Sequence, residues 1–150
     1  MAEHATITVP ATHAGASRAA AAFDEFCRVR EVPAEGRWRL QIALDEILSN
    51  TMHYGFRDRS GVVALTFSHD AQSVTVEIVD DAPAFDPRRA PVPDTTLPLE
   101  ARRPGGLGLV LVESLVDDVA YERRGDENRL TLTWRPRADR SEAEASETRR

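Results

Sequence analysis

The sequence predicts a single α+β domain, a two-layer α/β sandwich with its helices packed on one face of a mainly antiparallel mixed sheet. Three observations carry that expectation. Runs of alternating apolar and polar residues come in hairpin-linked pairs, near residues 62–79 and 119–135. Two segments of helical period stand together between the first strand and those pairs. A chain of 150 residues, 41% of them hydrophobic, is one ordinary domain with a real core. Hairpins grouped with helices in this way give a sandwich of one sheet and one helical layer.

The elements follow in order. Ala5 to Val9 alternates and reads as a short strand, which Pro10 ends. Ala14 to Arg30 is alanine-rich, with Phe23 and Phe26 three apart, and reads as a helix that Pro33 breaks. A second helix is expected from Ala34 to Tyr54, with Glu35 near its positive end and Gly55 as its C-cap. Val62 to Ser68 and Ser73 to Val79 form a hairpin around His69-Asp70-Ala71-Gln72. Asp81 to Pro104 is proline-rich and aperiodic, a long loop of the kind that is usually functional or mobile. Leu107 to Val116 is apolar and follows a glycine turn, so a third helix is expected there. Val119 to Arg123 and Arg129 to Arg135 make a closing hairpin around Gly125-Asp126. Pro136 to Arg150 has no aromatic or branched aliphatic residue and reads as a disordered tail, which leaves residues 1–135 as the domain.

Charge and composition exclude several functions. A net charge of -6 leaves no basic footprint for nucleic acid. All 19 basic residues are arginine, which excludes a P-loop lysine or a Schiff base. The one cysteine, Cys27, can form neither an internal disulfide nor a cysteine-based metal site, and reads as a small buried hydrophobe. The chain opens without a signal peptide and contains no run near the ~20 apolar residues of a membrane span, so a cytoplasmic protein is expected. Trp38 and Trp134 read as packing residues, and His53 as a helix-end or pocket-wall residue.

Three segments carry chemistry. On the second helix, Leu40, Leu44, Ile47, Leu48 and Thr51 share one side, and Glu46, Asn50 and His53 lie roughly opposite. A carboxylate and an amide one turn apart can reach a single point. The amide oxygen of Asn50 suits Mg²⁺, and Glu46 can orient or deprotonate a hydroxyl. The plain alternative is the solvated face of a helix. Asp80 ends an apolar strand and is followed by small residues, so its carboxylate can accept from an exocyclic amine while a ligand nears the backbone. The plain alternative is an ordinary Asp-Pro turn. Gly105-Gly106-Leu107-Gly108, directly before an apolar run, makes a nest of N–H groups at a positive helix end, suited to phosphates. The plain alternative there is a linker. No Gly-Lys-Ser/Thr follows, so it is not a P-loop, and its context is not that of a dinucleotide fold.

In order and spacing the three segments resemble the N, G1 and G2 boxes of the gyrase, histidine-kinase and MutL ATPase superfamily. The resemblance spans about Ala5 to Arg135 and is strongest to the anti-sigma factor serine/threonine kinases. It rests on Leu44-Asp45-Glu46-Ile47-Leu48-Ser49-Asn50 with His53-Tyr54-Gly55, on Asp80 through Phe85-Asp86-Pro87, and on Gly105-Gly106-Leu107-Gly108-Leu109 leading to Leu115-Val116-Asp117. It implies the ATP-binding fold named for Bergerat, with ATP and Mg²⁺ as cofactors. Asn50 would coordinate Mg²⁺, and Glu46 would be general base toward a serine on a partner. Asp80 would read the adenine amine, with Ala82 and Ala84 beside it. Gly105, Gly106, Leu107, Gly108 and Leu109 would approach the triphosphate, and residues 87–103 would be the ATP lid. The implied partners are an anti-anti-sigma protein of the STAS type, which is phosphorylated, a sigma factor, and a second copy of the chain. A non-catalytic module that binds its partner by sequestration is the alternative. Ala82 and Ala84 stand where the family generally has glycine. A left-handed backbone there would cost each alanine on the order of 1 kcal/mol.

Overall fold

The computed structural model describes residues 3–57, 59–86 and 108–136. The order is β1 (Glu3–Pro10), α1 (His13–Val29), α2 (Ala34–Asn50) with a π-helical turn (Thr51–Gly55), β2 (Val62–His69), β3 (Val74–Asp80), α3 (Gly108–Leu115), β4 (Asp118–Arg124) and β5 (Glu127–Trp134). The tail expected beyond residue 136 and the lid expected at 87–103 lie outside the described residues.

The strands form one sheet in the order β1-β2-β3-β5-β4. Every pairing among the described strands is antiparallel, so the expected mixed character is absent from this part of the sheet. The pleat sends Val63, Leu65 and Phe67 of β2, Val74, Val76 and Ile78 of β3, and Leu130, Leu132 and Trp134 of β5 to the buried face. Phe67 meets Phe23 and Phe26 of α1 at centroid distances of 5.1 and 5.7 Å, which seats α1 on the β1–β2 end. Thr12 caps α1 by accepting from the Gly15 N–H at 3.0 Å.

α2 is the central helix, in contact with α1, α3 and the sheet. Its buried residues include Gly36, Ala43 and Asn50, spaced by seven and therefore on one stripe. At Gly36 the stripe takes the Trp134 ring so closely that an added Cβ would lie 2.4 Å from it. Trp134 is thus a packing residue, as expected, at 1% exposed. Trp38 is not. It is 48% exposed, with the Arg39 guanidinium over its ring.

The end of α2 differs from expectation. Gly55 is not a left-handed C-cap. The helix widens at Thr51, and the Phe56 N–H donates five residues back, to the Thr51 carbonyl at 2.8 Å. The left-handed residue that ends the run is Arg57, at φ 54°.

Candidate functional site

Two inward-facing polar residues interrupt the apolar face of the sheet. Asp80 continues the stripe of Val74, Val76 and Ile78, and Asn128 that of Leu130, Leu132 and Trp134. The register sets them directly opposite each other on β3 and β5. Both are buried. The Asn128 amide donates to Asp80 Oδ1 at 2.9 Å and to the carbonyls of Ala82 and Pro83 at 3.1 and 3.2 Å. Its oxygen accepts from the Tyr121 hydroxyl at 2.6 Å, the Phe85 N–H at 3.2 Å and Arg123 Nη1 at 3.2 Å. Arg123 Nη1 also donates to the Ala82 carbonyl at 2.8 Å. The segment after β3 is therefore tied to the β4–β5 hairpin by several bonds.

The Ala82 N–H donates to Asp80 Oδ1 at 3.0 Å, so one carboxylate oxygen takes two bonds. The other oxygen has no partner among the described residues. Burial pushes the Asp80 carboxyl above its ordinary range, against the pull of those two bonds.

Asp80 lines a small cavity with Ile47, Thr51, Gly55, Phe85, Tyr121 and Asn128. The cavity holds about 10 Å³, room for roughly one water. The Phe85 ring stacks on Tyr54 at 5.9 Å. Ala82 and Ala84 have no left-handed backbone, so the expected strain at these positions does not arise. The effect of Ala82 is steric instead. Its methyl is buried at 1% and faces Gly55, where it occupies space that glycine would leave.

Ile47 and Thr51 show that this side of α2 faces the cavity. Glu46 and Asn50 form the adjoining stripe. The expectation that both lie on the far side of the helix fails for Asn50, which is 1% exposed, while Glu46 is half-buried. α1 and α3 flank α2 and the sheet lies beneath it, so its fully exposed residues form a strip that includes Trp38, Ile42 and Asp45. Among the described residues neither polar atom of the Asn50 amide has a hydrogen-bond partner. A buried amide without partners costs about 1–3 kcal/mol, so a ligand-binding role explains it better than a structural one. Among the described residues no three His, Cys, Asp or Glu side chains are grouped to hold a metal. Asn50 Oδ1 fits Mg²⁺ in the way that ion is usually held, by one or two protein oxygens and the phosphates it accompanies.

The glycine segment is only partly in view. Gly105, Gly106 and Leu107 lie outside the described residues, and Gly108 and Leu109 open α3. Arg39 of α2 donates to the carbonyls of Ser114 and Leu115 at 3.4 and 3.3 Å, satisfying the negative end of α3. The positive end is the one the glycines precede. Cys27 is buried and its thiol is pushed up to about 12 by burial, an inert packing residue as expected.

Asn128, Tyr121 and Arg123 were not singled out from the sequence. The available signal was an asparagine at an inward position of an otherwise apolar strand.

The histidine kinase-like ATPase domain family matches residues 9–134. The serine/threonine-protein kinase BtrW of Bordetella bronchiseptica is 33% identical over 98 residues, 65% of this chain and 69% of BtrW. The serine-protein kinase RsbW of Bacillus thuringiensis is 26% identical over 84 residues, and the chain spans 52% of that relative's length. Among solved structures, the RsbU and RsbW domains of a Mycobacterium tuberculosis protein superpose with a TM-score of 0.60 at 20% identity, over 89% of this chain and 32% of the other. The histidine kinase domain of a blue-light activated kinase from Erythrobacter litoralis gives 0.53 at 20%, over 85% of this chain and 62% of the other. These two likenesses speak for the fold, which is theirs. Among the described residues no helix is long and apolar enough to cross a membrane. The chain belongs to the histidine kinase-like ATPase domain family and, within it, to the serine/threonine-protein kinases that its sequence resembles.

Proposed function

We propose that the chain is an ATP-dependent serine/threonine protein kinase that acts as an anti-sigma regulatory factor and phosphorylates a serine on an anti-anti-sigma partner of the STAS type. The observation that carries this reading is the Asn50 amide, buried with both polar atoms unpaired, one helical turn from Glu46. Asp80 accepts a hydrogen bond from the exocyclic amine of the base through its unpartnered oxygen. The N–H groups at the glycine-led end of α3 face the phosphates. Glu46 takes the proton of the partner's serine hydroxyl as its oxygen bonds to the γ-phosphorus and ADP leaves, which balances the transfer. Asn50 Oδ1 would hold Mg²⁺ together with the nucleotide, and the ion would neutralise phosphate charge. The protein's contribution is mainly placement and electrostatics. The same resemblance implies a sigma factor as second partner and a homodimer, which light scattering of the pure protein checks.

The test combines ATP titration with and without Mg²⁺ and transfer of labelled γ-phosphate to a STAS-type protein. Wild type is expected to bind with Mg²⁺ dependence and to transfer phosphate. Asn50→Ala should lose the Mg²⁺ dependence, and Glu46→Ala should keep binding but lose transfer by a factor on the order of 10²–10⁴. Unchanged transfer in both variants would refute the assignment.

One observation favours a second reading, a module that controls its partner by sequestration. The cavity beside Asp80 is far below the ~300 Å³ at which ligand pockets begin, and Ala82 narrows it. On the kinase reading, Phe85 and Tyr54 separate to admit the base. On the other, millimolar ATP does not bind and the partner binds regardless.

A further inference from the structure

We infer that Asn128 is the positioning residue for base recognition: it holds one oxygen of Asp80 so that the other is presented to the exocyclic amine of the nucleotide. This rests on the reading of Asp80 as the acceptor of that amine.

The geometry leaves little freedom. Asp80 and Asn128 face each other across β3 and β5 and both point inward. Three acceptors surround Asn128 Nδ2: Asp80 Oδ1, the Ala82 carbonyl and the Pro83 carbonyl. Three donors surround its Oδ1: the Tyr121 hydroxyl, the Phe85 N–H and Arg123 Nη1. A flipped amide would set like groups against like on both sides, so the orientation is fixed by its neighbours. With Nδ2 and the Ala82 N–H both on Oδ1, the carboxylate cannot turn without losing two bonds. Its second oxygen is the one left for an outside donor.

The role needs a donor toward Asp80 and an acceptor toward Tyr121 and the Phe85 N–H. Aspartate has the shape, but it would turn an oxygen toward the Asp80 carboxylate and two carbonyls. Alanine would free Asp80 to rotate. Either change removes a bond that favours the ionised carboxylate, which burial already disfavours. The other titratable or charged groups on the surrounding elements include Asp81 and Asp86 after β3, Glu77 of β3, Tyr121, Glu122 and Arg123 of β4, Glu127 and Arg129 of β5, and Glu46, His53 and Tyr54 of α2 and its π-helical turn. Asp81 pushes the Asp80 carboxyl up and Arg123 pulls it down.

The experiment uses the full chain and two nucleotides that differ at one group, ATP and inosine triphosphate, whose 6-oxo group cannot donate. Affinities are measured for wild type, Asp80→Asn, Asn128→Asp and Asn128→Ala across pH, with circular dichroism to check folding. Wild type should prefer ATP. In both Asn128 variants the preference should shrink about tenfold, the worth of one good polar contact. The midpoint of the pH dependence of ATP binding should rise. If Asn128→Asp does not fold, Asn128→Ala carries the same comparison. An unchanged ATP preference and an unchanged midpoint in the variants would overturn the inference while leaving Asp80 in its role. A wild type with no preference, or one that keeps it in Asp80→Asn, would overturn the reading of Asp80 and the inference with it.

Discussion

The two ends of the candidate site are built in opposite ways. At the base end, Asp80 and Asn128 sit in a network in which a single amide serves three acceptors and three donors. At the proposed phosphate end, the buried Asn50 amide makes no hydrogen bond among the described residues. One polar group is completed by the fold; the other finds no partner among the described residues. The base end therefore resembles a finished part of the core, with stability drawn from its own bonds. The phosphate end keeps an unmet demand that costs stability until something binds.

The comparison can be broken by making the same substitution at both ends. Asn128→Leu strands several buried groups and is expected to lower stability by roughly 2–4 kcal/mol. Asn50→Leu, nearly isosteric, removes an amide that has no partners. It is expected to raise the stability of the ligand-free protein by about 1–3 kcal/mol, a shift of several degrees in Tm, and to abolish Mg²⁺-dependent ATP binding. Calorimetry of the two proteins decides it; a lower Tm for Asn50→Leu would mean that the amide is satisfied after all.

A smaller effect sharpens the picture at the base end. A methyl added at Gly55 would meet nothing nearer than 3.6 Å, and the backbone there is not left-handed. Gly55→Ala should fold normally, gain about 0.5–1 kcal/mol from the better helix former, and fill the cavity between Ala82, Thr51 and Phe85. ATP affinity should fall about tenfold, an effect on the order of 1 kcal/mol. Unchanged affinity would place the base elsewhere.

The smallest expected effect is on pH dependence. Because burial raises the folded-state value of Asp80, protonation favours the fold. That contribution is complete below the ordinary carboxylate value and is lost as pH rises through the raised value. ATP affinity should move the other way, rising over the same window as the acceptor becomes ionised. Melting and titration between roughly pH 4 and 8 test both signs, and Asp80→Asn should flatten both curves. The Asn50 amide, which does not titrate, should contribute nothing.

Much of this was legible in the sequence. The order of the elements follows from period and punctuation, since proline and glycine mark nearly every boundary. Asp80 was legible too, because it ends an alternating run in phase with Val74, Val76 and Ile78. Asn128 is in the same phase on β5, but its meaning depends on a partner 48 positions away in sequence, and only strand register brings the two together. Asn50 reads as a candidate ligand group in the sequence, but on the solvated side of the helix, whereas it is buried. A helical wheel shows the side that faces the sheet, yet α2 is flanked by other helices as well, and its wetted strip is correspondingly narrow. The strain expected at Ala82 and Ala84 did not appear because backbone angles depend on how the segment is tethered, here by Asn128 and Arg123.

The contact between Trp134 and Gly36 has a mechanical consequence. Trp134 stands six residues along β5 from Asn128, about 20 Å away. The indole is wedged into a notch of the central helix that admits no added carbon, so β5 cannot slide along its length. A slip of one residue would turn Asn128 outward and bring Glu127 or Arg129 against Asp80. The alignment proposed to read the base is therefore indexed by a peg at the far end of the strand. Widening or blocking that notch should blur nucleotide selection from two nanometres away, with no residue of the pocket altered.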